Sequence, residues 1–206
     1  MKRVFISYHH QNDQRCKEQL LSLNSRNDIF VDCSVSTGDI DDSLEPQAIR
    51  RIIRENYLNE STVIIVIVGR ETQYRKHVDW ELYSSMHNGP TFGRSGVVVL
   101  LTPDCQSDYF TAPFPEVKDY IYPHVDSWTS IVSREEYEKR YPEMPARIID
   151  NLLVPTSKIS VTNWKDIIQY PERLRLLIEC AHNARDDVEY DMSRAMRMRD
   201  YNPLGL

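Results

Sequence analysis

Two short runs carry side chains whose types and spacing suit chemistry. One is Ser7-Tyr8-His9-His10 near the start, and the other is His77 with Glu81 four residues later. At helical spacing Glu81 borders the apolar arc of Val78, Leu82, Ser85 and Met86. A carboxyl at the edge of a buried stripe is partly desolvated, which raises its pKa, and such groups sometimes mark working sites. The plainer alternative is a rim glutamate paired with Arg75 or Lys76. His77 and Glu81 could share a metal, but no third ligand is evident, so a local hydrogen bond is the better reading and no metal is expected. Cys33 near His9 could mimic a thiol nucleophile with its base, although a buried cysteine at a strand end is the commoner case. Neither phosphate-cradling glycine fingerprint is present, and there is no G-x-S-x-G elbow. A phosphoacceptor receiver needs acidic residues where this chain has Ser7-Tyr8 and Gly69.

The elements that must position these residues read as alternating strands and helices. Val4-Phe5-Ile6 opens as a buried strand, and Asn12 and Asp13 offer a helix start for the stripe Cys16, Leu20 and Leu23. Ile29-Phe30-Val31 is a second strand, ended by Asp32 and followed by a polar loop at 34–42. Ser43 can cap a helix with Pro46 in its first turn and with Leu44, Ala48, Ile49, Ile52 and Ile53 as its apolar stripe. Residues 62–68 are almost wholly β-branched and lack alternation, as in a strand covered on both faces, and Gly69 ends it. Residues 72–86 read as a helix stopped by Asn88-Gly89-Pro90, and 97–101 as a fourth buried strand. The order predicts parallel strands joined by right-handed crossovers.

Regularity then fails over 102–155, a stretch of prolines and aromatics in which two short helices are expected, one from the capping box Ser133-x-x-Glu136 and one from Pro145. Residues 158–161 suggest a fifth strand, and Pro171 starts a helix with Leu174, Leu177, Ile178 and Ala181 as its stripe. From Asp186 the chain is charged, with Val188, Met192, Ala195 and Met196 at helical spacing, which predicts a helical extension packed on the domain. The organisation expected is one α/β domain over 1–185, with an insertion at 102–155, and an extension over 186–206.

The net charge is -6, which disfavours nucleic-acid binding. The local run Arg50, Arg51 and Arg54 reads as a solvated helix face. No apolar run is long enough to cross a bilayer, the start lacks the pattern of a secretory signal, and the 4 cysteines are scattered. A soluble, cytoplasmic protein with reduced thiols is the expectation.

In an open doubly wound sheet of order 2-1-3-4-5, ligands bind beyond the carboxyl ends of the first and third strands. That places Ser7, Tyr8, His9, His10, Gly69, Arg70 and Glu71 at one crevice, with the 32–42 loop able to fold over it and the helix of Glu81 beside it.

Three segments together resemble a TIR domain, specifically the bacterial TIR-like family that includes the TIR protein of Thoeris anti-phage systems. They are the run from Lys2 to His9, the strand at 63–72 with its glycine, and Arg75-Lys76-His77-Val78-Asp79-Trp80-Glu81. The segments at 145–151 and 164–184 resemble the C-terminal half of the bacterial subgroup. His77 stands where TIR domains commonly carry a tryptophan, with Trp80 adjacent to the glutamate instead. His9-His10 replace an arginine, and the loop after the second strand lacks the usual proline. The resemblance implies a flavodoxin-like fold and cleavage of the nicotinamide-ribose bond of NAD, with Glu81 catalytic and NAD a substrate rather than a cofactor. It also implies substrate contacts from Ser7, Tyr8, His9, Asp32, Gly69 and His77. An ADP-ribose or cyclic product, self-association, and a separate effector activated by the product follow from it too. A non-catalytic assembly module and a nucleotide sensor remain open beside that reading.

Overall fold

The computed structural model describes residues 1–34, 41, 43–58 and 60–201. Five parallel strands form one sheet: β1 (Lys2–Ser7), β2 (Phe30–Asp32), β3 (Val63–Val68), β4 (Gly96–Leu101) and β5 (Ser160–Asn163), in the order β2-β1-β3-β4-β5. The helices are α1 (Gln14–Asn27), α2 (Pro46–Asn56), α3 (Lys76–Met86), α4 (Pro115–Ile121), α5 (Arg134–Arg140), α6 (Ala146–Leu152), α7 (Trp164–Ile167) and α8 (Pro171–Ala184). The doubly wound, flavodoxin-like α/β expectation therefore holds.

Alternation along the central strands divides the core in two. Val4, Ile6, Ile65, Ile67, Val98 and Leu100 point to one face, where Leu20 and Leu23 of α1 and Leu174, Leu177 and Ile178 of α8 cover them. Phe5, Ile64, Val66, Val68, Val99 and Leu101 point to the other, under Ile49 and Ile53 of α2, Val78, Trp80 and Leu82 of α3 and Ile148 of α6. Every residue of β3 and β4 is buried, because helices lie on both faces. Gly96 begins β4 against α8, where an added Cβ would stand 2.1 Å from the Ala181 carbonyl oxygen. This close approach admits only glycine.

Several expectations are corrected. The second helix does not begin at Ser43: Glu45 precedes Pro46, whose fixed φ suits the first helical position. Residues 72–86 are not one helix, since a 3-10 turn at Thr72–Tyr74 is separated from α3 by Arg75 in an extended conformation. The fifth strand lies two residues later than expected because Lys158 turns the chain with φ 49. The insertion holds three short helices, α4 having gone unread. Ser133 does cap α5, its hydroxyl oxygen accepting from the Glu136 amide. Glu136 turns its carboxylate to Arg140 rather than back to the cap. Thr111 bridges antiparallel to Val161, so the insertion is tied to the sheet edge.

Residues 186–201 are not helical. They pass across α3 and α6 as irregular chain, and their backbone groups bond to side chains of the domain. Arg147 donates to the carbonyls of Arg194 and Ala195, and the Trp80 indole N–H to that of Arg197. The Arg197 amide donates to Asp79 Oδ2. Carbonyls engaged in this way are not given to i+4 amides, so the apolar spacing of Val188 and Met196 serves a strap, with both side chains buried. Among the described residues no helix is long and apolar enough to cross a membrane.

Candidate active site at the β1–β3 switch point

β1 lies between β2 and β3, so the strand order reverses beside it. Its last residue, Ser7, pairs with Val66 and is wholly buried. Beyond that end the chain leaves the sheet as Tyr8-His9-His10, while β3 ends and Gly69 leads through the 3-10 turn into α3. α3 lays its second turn against the end of β1, and Glu81 meets Ser7 there.

The Ser7 hydroxyl donates to Glu81 Oε2 at 2.6 Å, and Glu81 is only 4% exposed. Burial pushes its carboxyl up to about 8, against the lowering pull of the Ser7 hydrogen bond and of the Lys17 ammonium. The rim pairing with Arg75 does not form, since Arg75 binds Glu71 at 2.9 Å. Tyr8 donates to Gln14 Oε1, stacks near His10 with centroids 4.6 Å apart, and carries the Lys17 ammonium over its ring at 4.9 Å. Burial, and then the field of Glu81, raises the Tyr8 pKa, so its phenol stays protonated. Lys17, an α1 side chain at the edge of an ordinary amphipathic stripe, gave no sequence signal of this role.

His9 is buried, and its Nδ1 accepts from the Asn12 amide. Its Nε2 has no hydrogen-bond partner and stands 3.8 Å from Glu71. Burial first, then Arg75, holds its pKa below the usual histidine range; burial and Lys17 do the same to His10. Both imidazoles are therefore neutral at pH 7.

Gly69 lies at the same end but is turned toward the protein. A Cβ there would stand 2.2 Å from Asp13 Oδ1. Asp13 precedes α1 without capping it, because its carboxylate accepts from Thr72 Oγ1, which in turn accepts from the Gly69 amide. This Asp13–Thr72–Gly69 cluster fixes the turn that launches α3, and the sequence showed only a helix start there. Asp32 is exposed at the end of β2. It accepts from the Ser34 amide, and Ser34 Oγ accepts from the Ile6 amide, so this carboxylate shapes the exit from β2. Of the loop expected to cover the crevice, 35–40 and 42 lie outside the described residues. His77 sits four residues before Glu81 on α3, edge-on to Trp80 at 4.9 Å. Cys33 bonds to the Val31 carbonyl at 3.8 Å. Among the described residues no three metal-ligating side chains converge. Ser7, Tyr8 and Glu81 thus come together directly, with His9 and His10 flanking them, while Gly69 and Asp32 serve the turns around them.

A five-stranded parallel sheet of this order is the flavodoxin-like, doubly wound class of α/β domain, and here a buried glutamate from α3 meets the end of β1 at its switch point. Residues 5–107 match the family described as Thoeris protein ThsB, TIR-like domain, and the chain belongs to that family. It is thus a TIR-like module related to a defence system. No curated protein matches the chain.

Proposed function

We propose that the protein cleaves the nicotinamide-ribose bond of NAD at the Ser7–Glu81 crevice, yielding ADP-ribose or a cyclic form of it as a defence signal. The observation that carries this reading is the buried Glu81 carboxyl, held by Ser7 at the switch point and raised to about 8. At pH 7 the group is mostly protonated in the empty crevice. The nicotinamide ring of NAD is a cation, and a cation brought beside a buried carboxyl favours its ionised form. Substrate binding then expels a proton and leaves a carboxylate facing the ribose. As the C1′–N bond breaks, its electron pair leaves with nicotinamide and positive charge develops on the ribose, which the carboxylate stabilises. Attack by water gives ADP-ribose and a proton; attack by a hydroxyl or ring nitrogen of the same nucleotide gives a cyclic product, favoured where water is excluded. Tyr8 and Ser7 line the ribose and nicotinamide side. Self-association and a separate effector activated by the product are part of the same proposal, and membership of the family supports them.

The test is nicotinamide release from NAD by concentrated protein, with products resolved by mass. Glu81→Gln removes the charge at constant shape and is expected to lower turnover by about a hundredfold to a thousandfold, as loss of an electrostatic stabiliser does. For the wild type, kcat/KM is expected to rise with pH up to about 8, and kcat to level off at lower pH, because bound NAD favours the ionised form. Glu81→Gln turning over at the wild-type rate sinks the assignment. Concentration-dependent assembly with intact NAD points instead to a signalling module without chemistry.

A further inference from the structure

Of the run Arg50, Arg51 and Arg54, the last does not lie on the solvated helix face its sequence suggests. Arg54 is only 6% exposed, wedged between α2 and the segment that leads into β4. Its Nη2 donates to the Gly93 carbonyl, its Nη1 reaches Ser95 Oγ at 3.5 Å, and its guanidinium stands 5.6 Å from the Phe92 ring centre. Its Nε is buried without a hydrogen-bond partner. Among the described residues no carboxylate forms an ion pair with Arg54, Arg50 or Arg51. A guanidinium taken out of water without a counter-charge is costly, and such charges are normally paired.

Arg54 follows Arg51 by three residues and Arg50 by four, so both neighbour it on the surface of α2. With His87, Gly89 and Phe92 the three arginines line a depression of about 150 Å³, whose one acidic lining residue is Glu55. Burial, and then the charges of Arg50 and Arg54, holds His87 below the usual histidine range, so the field in this hollow is positive. Guanidinium forks match tetrahedral oxyanions and bind them through paired hydrogen bonds. The hollow takes one such group but not a whole nucleotide, for which pockets of about 300 Å³ or more are usual. It lies at the amino end of β4, three residues along the sheet from Val99, which is level with Ser7 through Val66, and its His87 follows Glu81 by six residues at the end of α3, so the hollow stands roughly 10 Å from the Glu81 crevice, on the other side of the last turn of α3.

We propose that the pocket of Arg50, Arg51 and Arg54 is an anion site for a phosphate group, either free phosphate or the phosphomonoester end of a small metabolite, separate from the Glu81 crevice. A nucleic-acid backbone is the weaker fit, given a single concave pocket on a chain of charge -6.

Titration calorimetry on the full chain in chloride buffer, first with inorganic phosphate and then with adenosine monophosphate, tests this. Arg54 also ties two segments together, so the deciding variant is R50Q/R51Q, which changes side chains that are not buried. The expected result is saturable one-site phosphate binding, weakened at least tenfold in R50Q/R51Q and unchanged in E81Q. Adenosine monophosphate binding tenfold tighter than phosphate assigns a phosphomonoester ligand; equal or weaker binding assigns free phosphate. Absence of saturable phosphate binding, equal binding by R50Q/R51Q, or its loss in E81Q overturns the proposal.

Discussion

At the scale of single residues, Glu81 sets stability against function. Its folded pKa of about 8 lies above its ordinary value of 4.5, so the folded protein holds a proton that the unfolded chain releases between those values. Stability therefore falls as pH rises from about 4.5 to about 8 and is flat, for this group, on either side. Glutamine has no charge to desolvate. Glu81→Gln should match the wild type near pH 4.5 and become more stable than it as pH rises, reaching a gap of roughly 3–5 kcal/mol at pH 9 as an upper bound. For a chain of this size each kcal/mol moves Tm by about 2–4 °C. Melting curves of both proteins at pH 5, 7 and 9 measure the gap; a gap that does not change with pH contradicts the buried-carboxyl account. A variant that gains stability while losing turnover also separates loss of chemistry from loss of fold.

At the scale of elements, α3 is held by contacts remote in sequence. Arg147 of α6 is fully buried and grips Asp79 through Nε and Nη2 at 2.9 and 3.1 Å. Asp79→Ala leaves that guanidinium buried and unpaired, so a loss of about 3–5 kcal/mol is expected. Arg3→Ala at the exposed pair with Glu60 should cost about 1 kcal/mol or less. Chemical denaturation of the two variants side by side measures the contrast, and equal losses would remove the special status of the buried pair. The same contact shows where sequence reading ends. Val63–Val68 and Gly96–Leu101 were legible because continuous β-branched and aliphatic runs have few other uses in a chain this polar. Glu81 was legible because its apolar neighbours recur at helical spacing. Arg147 and Arg54 were not, because an arginine in a helix reads as surface until partners 68 or 39 residues away are folded against it. Asp13 looked like a cap for α1, and only the fold brings Thr72 and Gly69 to its carboxylate. The 186–201 strap failed for a related reason: spacing alone cannot reveal that its carbonyls are claimed by Arg147 and Trp80.

At the scale of the whole molecule, the strap bears on whether 1–185 can stand as a folding unit. Its last described residues close over the start of α3: Asp200 Oδ1 accepts from the Lys76 amide at 2.7 Å, and the Tyr201 amide donates to the Tyr74 carbonyl. Asn151 exchanges hydrogen bonds with the Asp191 backbone, and the Tyr190 hydroxyl donates to the Ser95 carbonyl ahead of β4. Removing 186–206 exposes the surface that Val188 and Met196 cover, worth about 1.5–3 kcal/mol for each side chain. It also strips acceptors from the buried Arg147 and Trp80, at about 1–3 kcal/mol for each buried donor left without a partner. The sum is comparable with the roughly 5–15 kcal/mol that holds a domain together. A chain ending at 185 is therefore expected to melt at least 10 °C below the full chain or to lose its cooperative transition, and a peptide of residues 186–201 added in trans should restore part of the loss. Because the strap packs on α3, that chain should also lose the ordered placement of Glu81, and nicotinamide release should fall with the folded fraction and recover with the peptide. A 1–185 chain that melts like the full protein would instead make the strap an appendage, leaving α3 and its glutamate to be held by the two cores of the sheet alone.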